Sequence, residues 1–281
     1  MRDGQRVTGF KGIREYNPAP LSLEEIQRGL RALRLGKKIH YFAEIASTNV
    51  CAYKLAQGGA EEGEIVVADA QTQGKGRMGR SWISPPYLNL YLSVILRPRL
   101  PALHASQLTL MSAVAVAESV QSLIPCPVEI KWPNDILVRG KKLAGILSES
   151  SCDGDRLHFV VVGIGANLNF PKELMPEAIK ETATSIMELA KQPVDRAAFA
   201  RRLIQNLEQC YGNLEERGFP YIAGRWESFF RLQGKRVRVE MLQSSVSGKA
   251  VGIDADGALL LEDDKGILQR IIAGDLIPVD P

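Results

Sequence analysis

The sequence predicts an α/β domain followed by a small all-β domain, and three features carry that prediction. Runs with strand character alternate with helix-forming stretches from residue 39 to about residue 231. Beyond Gln233-Gly234 the composition shifts to short β-rich runs punctuated by Asp256-Gly257 and Lys265-Gly266, the rhythm of a small barrel. At 281 residues, with 45% hydrophobic and 24% charged residues, the chain can bury the core that such an arrangement needs.

Residues 1–20 show no apolar period and end in Pro18 and Pro20, the pattern of a loose leader. Ser22-Leu23-Glu24-Glu25 fits a capping box, and Ile26, Leu30 and Leu33 continue an amphipathic helix to a stop at Gly36. An extended IHYFAE follows, then a helix over about 49–57, the strand EIVVADA, a polar loop and the strand NLYLSVIL. A long helix over about 105–123 precedes the strand VEIKW. ILV and KLAGILSE flank Arg139-Gly140, a hairpin turn. LHFVVVGIG is apolar nearly throughout, as a strand covered on both faces should be. Helices are expected over 195–217 and 220–231, and the expected units are 1–20, 21–232 and 233–281.

A net charge of +3 is too small to imply nucleic-acid or membrane binding, so any functional positive charge must be local. Cys51, Cys126, Cys152 and Cys210 form no CxxC pair and follow no signal peptide, which argues against a disulfide framework or a zinc site. The longest apolar stretch, around Leu108 to Val120, is interrupted by Thr109, Ser112, Glu118 and Ser119 and falls short of the roughly 20 residues of a membrane span. A soluble, cytoplasmic protein is expected.

Local charge is concentrated at Gly74-Lys75-Gly76-Arg77-Met78-Gly79-Arg80, with no acid from Gln71 to Ser84. Glycine lets backbone N–H groups approach phosphate oxygens, and the cations supply charge-assisted hydrogen bonds. On its own the loop reads equally well as a solvated connector. It is not a Walker loop, because Trp82-Ile83-Ser84-Pro85-Pro86 blocks the helix that such a loop must enter.

Lys131-Trp132-Pro133-Asn134-Asp135 ends a strand and places Lys131, Asn134 and Asp135 near the edge where open α/β sheets bind ligands. Asn134 and Asp135 are hard oxygen ligands suited to Mg²⁺, although an Asn-Asp after proline is more often a turn. Strand alternation places Lys142 on the face of Ala144, Ile146 and Ser148, where an ammonium needs an anionic partner or an exit to solvent. Ser47-Thr48-Asn49 caps a helix and can also bond a small polar head group. His40, His104 and His158 lack ligand spacing, and no nucleophile motif is present.

Taken in order, Ser47-Thr48-Asn49, Gln71 with GKGRMGR and Trp82, KWPND at 131–135, KLAG at 142–145 and GIGANLN at 163–169 closely resemble the biotin–protein ligase family, from about residue 23 to the end of the chain. The resemblance implies a mixed sheet with flanking helices, related to class II aminoacyl-tRNA synthetases, with a small C-terminal β-barrel. It implies ATP-dependent formation of biotinyl-adenylate and transfer of biotin to a lysine of a biotin carboxyl carrier protein. Only 46 residues precede Ser47, too few for the family's optional DNA-binding module, so no DNA is expected; no membrane partner is expected either, and a homodimer is compatible. A lipoate or octanoate ligase and a non-catalytic adenylate-binding module are the rival readings.

By position, Ser47, Thr48, Asn49 and Gln71 resemble the ligands of the biotin ureido ring, and Gly74, Lys75, Gly76 and Arg77 the segment that closes over the ligand. Trp82, Gly145 and Gly165 complete the biotin set. Lys142 resembles the lysine that meets the biotin carboxylate and the reacting phosphate. Arg77, Arg80, Lys131, Asn134 and Asn167 resemble the nucleotide ligands, with Asn134 and Asp135 at Mg²⁺. Lys142, Arg77, Arg80 and Asp135 form the implied catalytic set. Lys75 stands where many relatives have arginine and Met78 where some have a cation, which leaves this loop less basic.

Overall fold

The computed structural model describes residues 19–279, so most of the leader expected over residues 1–20 lies outside the described residues. Ser22 caps α1 (Leu23–Gln27), its hydroxyl accepting the Glu25 N–H at 3.2 Å. The helix stops there rather than at Gly36, because Gly29 turns the chain left-handed at φ 82° and Leu33 points to solvent.

The large sheet is built from β1 (Ile39–Phe42), β2 (Ile65–Ala68), β3 (Leu90–Leu96), β4 (Val128–Lys131), β5 (Asp135–Val138), β6 (Lys141–Asp153) and β7 (Arg156–Ala166). Its order is β1-β2-β3-β7-β6-β5-β4, and only β1 and β2 run parallel. The rule that places ligands at the carboxyl edge of parallel strands therefore does not apply to Lys131, Asn134 and Asp135. The hairpin expected at Arg139-Gly140 forms: φ is 52° and 72° at the two residues, the left-handed pair that a tight turn between twisted strands requires.

The two faces of this sheet are unequally covered. Helices α3 (Ala105–Gln121), α6 (Arg196–Arg217) and α7 (Phe219–Phe229) pack on one face, where Leu90, Leu92, Val94, Val160, Val162 and Ile146 join the main core. On the other face α2 (Thr48–Gln57) sets Ala52 and Ala56 against Val66, Ile95, Phe159 and Val161. Two short helices, α4 (Glu177–Lys180) and α5 (Ile186–Ala190), lie in the strap after β7. Burying several such aliphatic side chains contributes about 1.5–3 kcal/mol each, which fixes both layers.

The residues ahead of α1 are tied to the sheet by a buried acid. Asp69 accepts the Leu21 N–H at 3.2 Å, the Tyr41 hydroxyl at 2.6 Å and the Arg196 guanidinium at 2.6 Å. A buried carboxylate is tolerated when its lone pairs are filled in this way. Asp69 also stands directly ahead of the loop that carries Gln71.

The C-terminal sheet comprises β8 (Arg236–Glu240), β9 (Ser245–Ile253), β10 (Leu259–Glu262), β11 (Leu268–Ile271) and β12 (Asp275–Pro278), in the antiparallel order β11-β10-β9-β8-β12. It joins the larger unit through apolar packing and through hydrogen bonds that include Trp132 Nε1 donating to Gly257 O at 3.1 Å and Gln107 Nε2 to Ala255 O at 3.1 Å. Among the described residues no helix is long and apolar enough to cross a membrane, and all four cysteines are free thiols.

Candidate active site

A pocket open to solvent lies on the α2 face of the sheet. Its floor exists because β6 and β7 lose their side chains there. On this face β7 reads Phe159, Val161, Gly163, Gly165, and Gly165 pairs with Gly145 of β6. A Cβ on Gly163 would lie 1.8 Å from Asn49 Oδ1, and one on Gly165 would lie 2.5 Å from the Trp82 indole. The glycines thus make room for two large neighbours, and Trp82 Nε1 is buried without a hydrogen-bond partner.

One end of the pocket carries a polar chain at the start of α2. The Ser47 hydroxyl caps the helix by accepting the Val50 N–H. Gln71 Oε1 accepts the Thr48 N–H at 2.8 Å, while its Nε2 donates to Ser84 Oγ at 3.0 Å. Ser93 Oγ lies 2.8 Å from Thr48 Oγ1 and 2.7 Å from Asn49 Oδ1. Asn49 Nδ2 donates to Leu147 O at 3.0 Å and to Glu149 Oε2 at 2.9 Å. Thr48, Asn49 and Ser93 are all buried, so each of these bonds is needed to offset the loss of water.

The other end is cationic. The loop forms a single tight turn at Arg77–Gly79, with Met78 left-handed at φ 54°. Arg77 Nη1 donates to Asn134 Oδ1 at 3.0 Å and to Gly274 O at 3.3 Å. Burial works against the Arg77 charge and draws its pKa below the ordinary guanidinium value, with Asp275 and Asp135 partly countering. Arg80 reaches Asp275 at 2.8 Å. Two cations are thereby held near the pocket by the start of β12, which sequence reading missed altogether.

Lys142 does not share the face of Ala144 and Ile146. The β5–β6 register shifts between Ile136 and Leu137, so that Ala144 faces Ile136 while Lys142 faces Leu137 and Leu143 is the extra residue. A bulge of this kind reverses the alternation behind it. The Lys142 side chain therefore lies over Gly145, with Nζ 5.4 Å from the Trp82 ring centre and 2.7 Å from Asp135 Oδ1. The apolar face expected for it belongs to α3, where Thr109 bonds Ser148. Its partner in the structure is Asp135, which also lies 3.6 Å from Lys131.

Of the residues singled out from sequence, Ser47, Thr48, Asn49, Gln71, Lys75, Gly76, Arg77, Arg80, Trp82, Asn134, Lys142, Gly145 and Gly165 line one pocket. Gly74, Lys131, Asp135 and Asn167 are not part of that lining. Gly74 is pressed against Trp82 O and Ser84, so close that a Cβ would meet the Trp82 carbonyl at 2.4 Å. Asn167 is buried and holds the strap by donating to Thr184 O at 3.1 Å. Ser84, Ser93, Glu149, Gly163 and Asp275 join the site without having been picked out as site residues. Gly163 had opened the motif GIGANLN, and Ser93 stood out as a hydroxyl inside the otherwise apolar run LYLSVIL.

Comparison with known proteins matches this geometry to one family. The biotin/lipoate A/B protein ligase family model matches residues 41–167, and the biotin protein ligase C terminal domain model matches residues 233–277. The bifunctional ligase/repressor BirA of Bacillus subtilis is 39% identical over 271 residues, covering 96% of this chain and 82% of the relative. The biotin–[acetyl-CoA-carboxylase] ligase of Mycobacterium tuberculosis is 34% identical over 262 residues, covering 89% of this chain and 94% of its own. The biotin protein ligase from Aquifex aeolicus, solved in complex with biotin and ATP, superposes with a TM-score of 0.73 at 29% identity, over 86% of this chain and 98% of that one. The chain therefore belongs to the biotin/lipoate A/B protein ligase family, among its biotin protein ligases.

Proposed function

We propose that this protein is a biotin–protein ligase that couples biotin to ATP as biotinyl-5′-AMP, releases pyrophosphate, and transfers biotin to a lysine of a carrier protein such as that of acetyl-CoA carboxylase. The observation that carries this reading is the polarity of the pocket. Neutral hydrogen-bonding groups at Thr48 and Gln71 occupy one end, and Arg77 and Lys142 the other. Such a pocket suits a ligand with a neutral polar ring and an anionic tail, which describes biotin. A cytoplasmic site of action belongs to the same reading.

In the first step a biotin carboxylate oxygen bonds to the α-phosphorus and the bond to pyrophosphate breaks. Lys142 and Arg77 are the cations that would offset charge on the reacting phosphate, and their fixed positions lower the reorganisation needed. The Trp82 face beneath Lys142 would shield the mixed anhydride from water on that side. In the second step the acceptor amine, with a free pKa of about 10.4, loses a proton and attacks the acyl carbon as AMP departs. Asp135, 2.7 Å from Lys142, is the carboxylate we assign to take that proton.

Magnesium is the ion expected with ATP. Among the described residues no group of three or more His, Cys, Asp or Glu can hold a metal, so the ion fits here only with the nucleotide, with Asp135 as one ligand and phosphate and water as the others. Asn134 fits less well, since its Oδ1 accepts from Arg77 and its Nδ2 donates to Ile146 O at 2.7 Å. When bound, the ion would neutralise phosphate charge. The test is ATP–pyrophosphate exchange by purified protein with biotin or lipoate added in parallel. Exchange with biotin alone is expected; exchange with lipoate alone, or with neither, would overturn the reading.

A further inference from the structure

The buried polar chain beneath the pocket has a fixed proton direction, which follows from counting donors. Asn49 Nδ2 faces two acceptors that cannot donate, Leu147 O and the Glu149 carboxylate, so its amide orientation is set and its Oδ1 points at Ser93. Ser93 has a single proton, and Asn49 Oδ1 can only accept. That proton goes to Asn49. The 2.8 Å contact between Ser93 Oγ and Thr48 Oγ1 then needs the Thr48 proton.

The competing arrangement points the Thr48 hydroxyl at Gln71 Oε1, 3.1 Å away. It would leave two oxygens at 2.8 Å without a proton between them, at the optimal O–H···O spacing, whereas the 3.1 Å contact is longer and weaker. The shorter contact therefore takes the proton. Gln71 Oε1 is likewise fixed as an acceptor by the Thr48 N–H. Thr48 Oγ1 and Gln71 Oε1 are left side by side at the pocket with lone pairs and no proton to offer.

We propose that Ser93 is a positioning residue that fixes Thr48 as a hydrogen-bond acceptor, so that the pocket selects a ligand head carrying N–H donors. Glu149 and Leu147 O anchor the far end of the chain. This deepens the ligase reading and rests on it: a cyclic urea supplies N–H groups, whereas a dithiolane ring supplies none and would leave the buried Thr48 acceptor and its half-buried neighbour Gln71 unmatched.

The test compares biotin with its two cyclic carbamate analogues, in which one or the other ureido N–H is replaced by ring oxygen, by calorimetry on wild-type protein and on Ser93→Ala. Wild type should reject at least one carbamate by about 100-fold, because an acceptor would face an acceptor. In Ser93→Ala the Thr48 hydroxyl can turn and donate, so that ratio should fall to about tenfold or less, KM for biotin should rise, and kcat at saturating biotin should hold. Should Ser93→Ala not fold, Thr48→Val removes the acceptor itself and should collapse the ratio equally. An unchanged ratio in the folded variant would overturn the proposal. Failure of wild type to bind biotin at all would instead overturn the ligase reading.

Discussion

The Asp275 carboxylate lies 2.8 Å from the Arg80 guanidinium, joining the first residue of β12 to the cation loop. Asp275 is 24% exposed and Arg80 is 55% exposed, so the pair is worth less than about 1 kcal/mol. A triphosphate can displace it at little cost. Asp275→Asn should therefore change KM for ATP less than about fivefold and quicken proteolysis within residues 74–80. Arg77→Ala, which removes a half-buried guanidinium hydrogen-bonded to Asn134 and Gly274, should lower kcat/KM for ATP by about 100-fold or more. Steady-state kinetics of the two variants separates a loop tether from a phosphate ligand.

Lys142→Ala should reduce biotin-dependent adenylation by about 100-fold or more while the melting temperature moves only a few degrees. The side chain is 35% exposed and its partner Asp135 keeps Lys131 nearby, so little folding energy is at stake. Near-normal adenylation by the folded variant would remove Lys142 from the reaction. Lys142→Arg keeps the charge over Trp82 and should recover part of the rate.

Gly163→Ala places a methyl where Asn49 Oδ1 now lies, 1.8 Å from the new carbon. Asn49 must leave, and with it the bonds to Leu147 and Ser93. Biotin affinity should fall at least tenfold, and urea unfolding should show a loss of about 1–3 kcal/mol from overpacking. Gly165→Ala should act through Trp82 instead and weaken biotin binding with less effect on Thr48.

Acid stability should depend on Glu64. Burial opposes ionisation of its carboxyl, yet His40, the Glu61 N–H and Lys38 outweigh it and hold the pKa down to about 2. The folded value lies below the unfolded one, so the stabilisation is present above about pH 4.3 and is lost as pH falls toward the folded value. Up to about 3 kcal/mol is involved. Glu64→Gln should flatten the urea midpoint over that acid range; an identical acid slope in wild type and variant would contradict this origin.

Elements written in local chemistry were legible from sequence. The Ser47 cap, the Arg139-Gly140 turn and the buried run of β7 needed only spacing and residue type. The recognised motifs also converge on one pocket. What stayed hidden depends on contacts distant in sequence. Leu30 and Leu33 keep a helical spacing that Gly29 interrupts, and Lys142 reads as facing α3 because a bulge leaves no mark in an alternating pattern. Ser93 matters only because β3 brings it beneath Thr48. Asp275 opens a strand that ends in Pro278, and it meets Arg80 only once the C-terminal sheet has docked.

The most direct test of the central claim is mass spectrometry of the species retained by the protein after incubation with biotin, ATP and magnesium and no acceptor. Biotinyl-adenylate should be retained and should disappear in Lys142→Ala. Recovery of unreacted biotin and ATP alone from folded wild-type protein would contradict the account.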